Sequence, residues 1–268
     1  MIEFSEIQGI YFILPLVGLI IGLFGTMVGG GGGFFFLPVL TLVLNVPAKT
    51  AVITSLVATL PICLVGSFGH YRKNNINFNV ALILIAGGII GAFTGAKITG
   101  WITEKQLKVA FGIYSILIAL NMVSGTRKKQ KPDNNTEKEG AAGYGFLQIA
   151  RGSSFGLVAG LITGTFGTSG TAPIIAGLFS FKIPFKIVIG TSLIVVLVNT
   201  IFAVGAHFLI GRIDLTLVSF LTAGSAIGAV AGPKLLSKIK LDKAEKPARY
   251  WYAAIIVVIG VLMIIGRN

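Results

Sequence analysis

The sequence predicts an all-α integral membrane protein made of two inverted repeats of about five helical segments each, the second segment of each half being short or broken at a glycine-rich tip. Three observations carry this. Of the 268 residues, 54% are hydrophobic and only 12% charged, with a mean hydropathy of +0.89, so a water-soluble globule would lack polar side chains to cover itself. The apolar residues come in runs of about 20, the length a helix needs to cross roughly 30 Å of hydrocarbon at about 1.5 Å per residue. The second half of the chain repeats the first at a fixed offset.

Apolar segments fall near 10–29, 34–46, 49–70, 77–100 and 107–124, and again near 147–167, 172–181, 185–210, 214–237 and 250–266. Between the two sets runs TRKKQKPDNNTEKEG at 126–140. It is charged, interrupted by Pro132 and nearly without apolar side chains, so it cannot bury enough surface to fold. The chain therefore divides into a membrane repeat at 1–125, a linker at 126–145 and a second membrane repeat at 146–268. The N-terminus carries Glu3 and Glu6 before the first run and no basic residue, the reverse of a cleavable signal, so the first run is expected to remain as a helix.

The repeat rests on register. Gly18, Gly22 and Gly29 match Gly156, Gly160 and Gly167 at an offset of 138. After a one-residue gap the offset is 137 through Pro47/Pro184, Thr54-Ser55-Leu56/Thr191-Ser192-Leu193, His70/His207, Gly87/Gly224, Gly91/Gly228 and Gly95/Gly232. Chance does not hold one register over about 80 residues.

Charge sets the orientation, because cytoplasmic loops hold an excess of Lys and Arg. If segments 1 and 2 of each half enter and return to one face, the 22 basic residues divide 16 on the linker face to 6 on the N-terminal face; with four crossings per half they divide 10 to 12. The first division is the asymmetric one. It makes the repeats inverted, the linker cytoplasmic and both termini non-cytoplasmic in a multi-pass protein of the cell membrane. The formal charge of +13 thus reads as topology, with no nucleic acid implied, and inverted repeats point to a transporter.

The tips are where chemistry is expected. Segment 34–46 is too short to span, and it follows Gly29, Gly30, Gly31, Gly32 and Gly33; its counterpart follows Gly167, Thr168, Ser169, Gly170 and Thr171. A glycine run cannot continue a helix cheaply, and bare backbone is not tolerated facing lipid, so both tips should lie inside the protein along a cavity. A helix that restarts there offers free N–H groups and the positive end of its dipole, a site for an anion to which the three hydroxyls add donors. The plainer alternative is a pair of tight turns. Ser55 and Ser192, with the threonines before them, either bond their own helix or face the cavity.

All nine acidic residues lie at the N-terminus, in the linker or near loops. Cation pathways usually place carboxylates in the membrane, so this distribution favours an anionic substrate. His70 and His207 end the third segments as relay candidates for a proton or anion, or simply as interfacial anchors. Lys97 and Lys234 suit snorkelling, and the stripes Gly87/Gly91/Gly95 and Gly224/Gly228/Gly232 suit close helix packing. Cys63 is the one cysteine, a packing residue. No nucleotide motif, metal cluster or nucleophile with an oriented base is present, so no cofactor, no metal and no enzyme activity are expected.

The stretch GLFGTMVGGGGGFFFLPVL at 22–40, TSL at 54–56, GLITGTFGTSGTAPIIAGL at 160–178 and GTSL at 190–193 resemble the TauE/SafE family of membrane permeases over nearly the whole chain. The resemblance implies transport of sulfur-containing anions, with export of sulfite or of organosulfonates such as sulfoacetate. The second tip departs from the glycine-rich form at Thr168, Ser169 and Thr171. The resulting expectation is a secondary transporter of a small sulfur-containing anion, an exporter by alternating access about the two tips. An anion channel, or a permease for another small anion, is the alternative. The expected partners are the anion and the lipid bilayer, with self-association left open.

Overall fold

Hydrophobic composition and segment length give helices throughout. The computed structural model describes residues 2–124, 144–208, 212–236 and 241–266, excluding the side chains of Ile2, Met27, Val28 and 233–249. The helices are α1 (Leu14–Val28), α2 (Gly33–Pro38), α3 (Ala48–Tyr71), α4 (Phe78–Trp101), α5 (Glu104–Ser124), α6 (Phe146–Phe166), α7 (Thr171–Ser180), α8 (Phe185–Phe208), α9 (Leu215–Leu236) and α10 (Leu241–Ile265). Among the described residues seven helices are long and apolar enough to cross a membrane, counting α1 together with the 3-10 turn Gly9–Ile13 before it. The all-α membrane class is thus the observed one. The expected linker lies outside the described residues except for Tyr144 and Gly145.

Local chemistry sets the ends. Asn77 caps α4 by accepting from Val80 N at 3.1 Å, and Asp214 accepts from Thr216 N and Leu217 N at the start of α9, each satisfying N–H groups a helix leaves free. Two residues of parallel pairing, Ile2 with Ile213 and Glu3 with Asp214, tie the N-terminus to that point. The second segment is shorter than the apolar run 34–46 suggests: Pro38 removes a donor near the end of α2, and Val39–Val43 continue as a wider π turn.

Small residues decide the packing. α4 lies along α6, with Gly156 against the Leu84 carbonyl, Gly160 against that of Gly88 and Gly91 against that of Leu157. α1 lies along α9 in the same manner, with Gly22 against the Ser225 carbonyl and Gly228 against that of Leu19. A Cβ at any of these five glycines would fall inside a carbonyl oxygen, so the backbones touch, as small-residue stripes permit in lipid. The packing reading of the stripes is therefore what these contacts describe. The two seams are counterparts, first helix of one half with fourth of the other, and α3–α9 likewise corresponds to α8–α4. At the centre α3 and α8 run antiparallel. His70 at the end of α3 meets Gly190 at the start of α8, Gly66 meets Leu193, and Ile53 near the start of α3 clusters with Ile213 beyond the end of α8.

Candidate functional site

Both tips are built the same way. α1 ends at Gly29 (φ +78°) and α6 at Gly167 (φ +66°); α2 begins after Gly32 (φ +75°) and α7 after Gly170 (φ +53°). The left-handed conformation at these two places in each tip is one that L side chains enter at a cost of about 1–2 kcal/mol, which explains the glycines both repeats keep. Thr168 and Thr171, at the positions of Gly30 and Gly33, need no such backbone, and neither does the counterpart glycine in either case. Gly31 is left-handed where its counterpart Ser169 is not, so the tips differ in this one backbone feature. Gly30 and Gly33 are required for space instead, a Cβ at Gly30 lying 2.7 Å from Thr171 Oγ1 and one at Gly33 lying 2.8 Å from Thr59 Oγ1.

The tips meet and are held from the opposite half. Ser55 donates to the Gly167 carbonyl at 2.9 Å, and Ser192 donates to the Gly29 carbonyl at 2.8 Å, each proton being shared with the carbonyl three residues earlier in its own helix. Thr171 Oγ1 lies 2.9 Å from Ser169 Oγ and 3.4 Å from the Gly30 carbonyl. Both alternatives for the serines are thus partly realised: they bond their own helix and reach across to a tip.

A cavity of about 410 Å³ opens beside this junction. Gly30, Gly32, Thr168, Ser169, Gly170 and Thr171 line it from the tips; Gly29, Gly31, Gly33 and Gly167 are buried behind them. Thr168 lines the cavity and is 2% exposed, and its hydroxyl is buried in the wall without a protein partner. A buried hydroxyl without a bond is costly, and here it is a donor awaiting an acceptor. The remaining walls come from one face each of α5 (Tyr114, Ile118, Asn121), α7 (Ala172, Ile175, Ala176) and α10 (Tyr252, Ile256), together with Phe24, Phe34 and Phe35. Among the described residues no acidic or basic side chain lines it. The first turn of α7 carries Pro173, where a missing donor does no harm, and the N-terminal end of α7 offers partial positive charge worth up to about 2 kcal/mol to a partly buried anion.

The histidines stand apart from the cavity lining. His207 Nε2 donates to the Gly164 carbonyl at 2.6 Å, while His70 is buried at the other end of the α3–α8 pair with Nδ1 unpartnered. The aromatic walls were not singled out by sequence reasoning. Tyr114 and Tyr252 sit in ordinary apolar runs, and only the i, i+4 spacing Tyr114/Ile118 and Tyr252/Ile256 marks a shared face.

The family described as "Sulfite exporter TauE/SafE" matches residues 14–263. Among individual proteins, the chain is 29% identical over 241 residues to "Probable membrane transporter protein YdhB" of Bacillus subtilis, covering 88% of this chain and 94% of the relative. It is 26% identical over 249 residues to YunE of the same organism, named in the same words, covering 85% and 90%. A relative so named from Methanocaldococcus jannaschii is 27% identical over 268 residues, covering 94% and 95%. No solved structure matches the chain. These relatives are named as transporters and not as enzymes, in line with the sequence expectation. On the span of the family match, the chain belongs to the TauE/SafE family of membrane transporters.

Proposed function

We propose that the protein is a secondary transporter that carries a small sulfur-containing anion, such as sulfite or an organosulfonate, by alternating access about the paired tips. The observation that carries this reading is the buried, unpartnered hydroxyl of Thr168, a residue of the cavity wall at the start of α7. Ser169, Thr171 and the backbone of Gly30, Gly32 and Gly170 complete the ring of donors and dipoles. The described lining carries no formal charge, which suits a carrier, because an anion held by dipoles is released readily.

The halves act as inverted repeats, and the antiparallel α3 and α8 support that arrangement. With the linker cytoplasmic and the termini outside, the cavity extends from the tips along α5 towards Asn121, the end that leads into the linker. This conformation receives its anion from the cytoplasm, as an exporter requires. Rocking of α5 and α10 against the tips would then open the site to the other face. Gly29, Gly31, Gly33 and Gly167 shape the site, Ser55 and Ser192 fix the tips, and His70 and His207 are left as relays at the ends of α3 and α8.

Proteoliposomes loaded with sulfite test the reading. Saturable efflux, stimulated by external sulfite and without single-channel currents, is the expected result. Unitary currents would replace the carrier by a channel, and no flux of sulfite, thiosulfate or sulfoacetate would remove the sulfur-anion assignment.

A further inference from the structure

His70 and His207 stand near the ends of the counterpart helices α3 and α8, at positions related by the offset of 137, yet they are bonded differently. His207 is 2% exposed, with Nε2 2.6 Å from the Gly164 carbonyl. A carbonyl only accepts, so that nitrogen carries the proton, and the bond ties the end of α8 to α6 just short of its tip. The counterpart of Gly164, at the offset of 138, is Thr26. Gly66, one turn before His70, lies so near Thr26 that a Cβ there would be 3.2 Å from the Thr26 methyl. Among the described residues, however, no bond joins His70 to the Thr26 carbonyl, and the buried Nδ1 of His70 has no partner.

A second counterpart pair is split in the same sense. Thr191 Oγ1 of α8 accepts from Asn77 N, the cap of α4, at 2.9 Å. Thr54, which takes the place of Thr191 in α3, is fully buried with its hydroxyl unpartnered. The helix α8 is thus fastened near both ends, to α4 and to α6. The helix α3 carries the same two side chains against α9 and α1 and makes neither bond. Buried polar groups without partners are costly, and a second conformation that supplies the partners accounts for both pairs.

We propose that these side chains are alternate latches. When the site opens to the outer face, His70 donates to the Thr26 carbonyl and fastens α3 to α1, Thr54 accepts a backbone N–H at the start of α9, and His207 and Thr191 let go. The number of latch bonds is the same in both conformations, which keeps the two close in free energy, as a carrier that must visit both requires. The proposal rests on the alternating-access reading above and names the residues that set its equilibrium. Both histidines are positioning residues, acting by holding helices and not by touching the anion.

The test reads the opposite conformation directly. Leu37 is fully buried and takes the place of the cavity residue Ile175 at the offset of 138, so it should line the cavity when that opens to the outer face. The labelling rate of Leu37→Cys by a water-soluble maleimide is measured on the full chain in detergent, in a Cys63→Ala background and without added sulfur anion. His207→Ala should raise the rate about fivefold and His70→Ala should lower it about fivefold, the factor that about 1 kcal/mol for one buried hydrogen bond gives. The double variant should return to the parent rate, and His207→Gln, which keeps an N–H donor, should stay near it. Where an alanine variant does not fold, the phenylalanine variant, which keeps a ring without the donor, gives the same comparison. Rings that only support packing would raise the rate in both single variants. A change in the same sense in both, or in neither, would overturn the latches and leave alternating access standing. A Leu37→Cys that never reacts while Ile175→Cys does would overturn both.

Discussion

Ser55 donates its hydroxyl proton to the carbonyl of Gly167, 2.9 Å away and 112 residues later in the chain. Ser192 does the same to Gly29 at 2.8 Å, so each half grips the tip of the other at the point where its helix stops. The two bonds make the site a joint product of both repeats. Ser55→Ala and Ser192→Ala should each remove about 1 kcal/mol, the ordinary net worth of a buried hydrogen bond, with a visible fall in Tm and weaker anion binding. Thermal unfolding of the single and double variants checks this. An unchanged Tm in both single variants would mean the bonds contribute nothing.

The glycine seams give a sharper contrast. Gly160 and Gly205 are both helical glycines, but a Cβ at Gly160 falls inside the Gly88 carbonyl while one at Gly205 meets nothing within 4 Å. Gly160→Ala should therefore separate α4 from α6 and cost at least about 1–3 kcal/mol, as overpacking does. Gly205→Ala should be neutral or mildly stabilising on helix propensity. Yield and Tm of the two purified variants decide the matter, and equal behaviour would contradict the seam.

Topology is open to thiol labelling in a Cys63→Ala background. The start of α3 and the end of α4 share a face, since Lys49 N donates to Glu104 Oε2 at 2.9 Å and Lys49 Nζ to the Gly100 carbonyl at 3.3 Å. Thr103→Cys on that face, and Ser5→Cys, are expected to react with an impermeant reagent in intact cells. Asn74→Cys, at the other end of α3, should react only after permeabilisation. The reverse pattern would invert the orientation drawn from the basic residues.

Much of this was legible because hydropathy and repetition act over long stretches. Runs of about 20 apolar residues become helices whatever their packing, and the shared register of Gly29/Gly167 and Ser55/Ser192 is visible as spacing before it is visible as contact. The role of Ser55 was only half legible, since its acceptor lies on the other repeat and no local pattern names it. Tyr114 and Tyr252 were not legible as a pair. They come from helices more than 130 residues apart in a chain rich in aromatic rings, and only the approach of α5 to α10 puts both on one cavity. The short second segment was anticipated, but its division at Pro38 into α2 and a π turn follows from a single missing N–H that an apolar run does not report.

The central claim, an anion held at the tips, turns on Thr168. Its hydroxyl is buried and unpartnered beside the cavity, so Thr168→Val, of nearly the same shape, removes a donor without removing any protein hydrogen bond. Sulfite and methanesulfonate binding should be measured on the wild type, Thr168→Val and Thr168→Ser, together with Tm in the absence of anion. The account expects Thr168→Val to keep or raise the anion-free Tm while affinity falls about tenfold or more, the value of a hydrogen bond to a charged group, with Thr168→Ser restoring most of it. Undiminished anion binding by a folded Thr168→Val protein would contradict it.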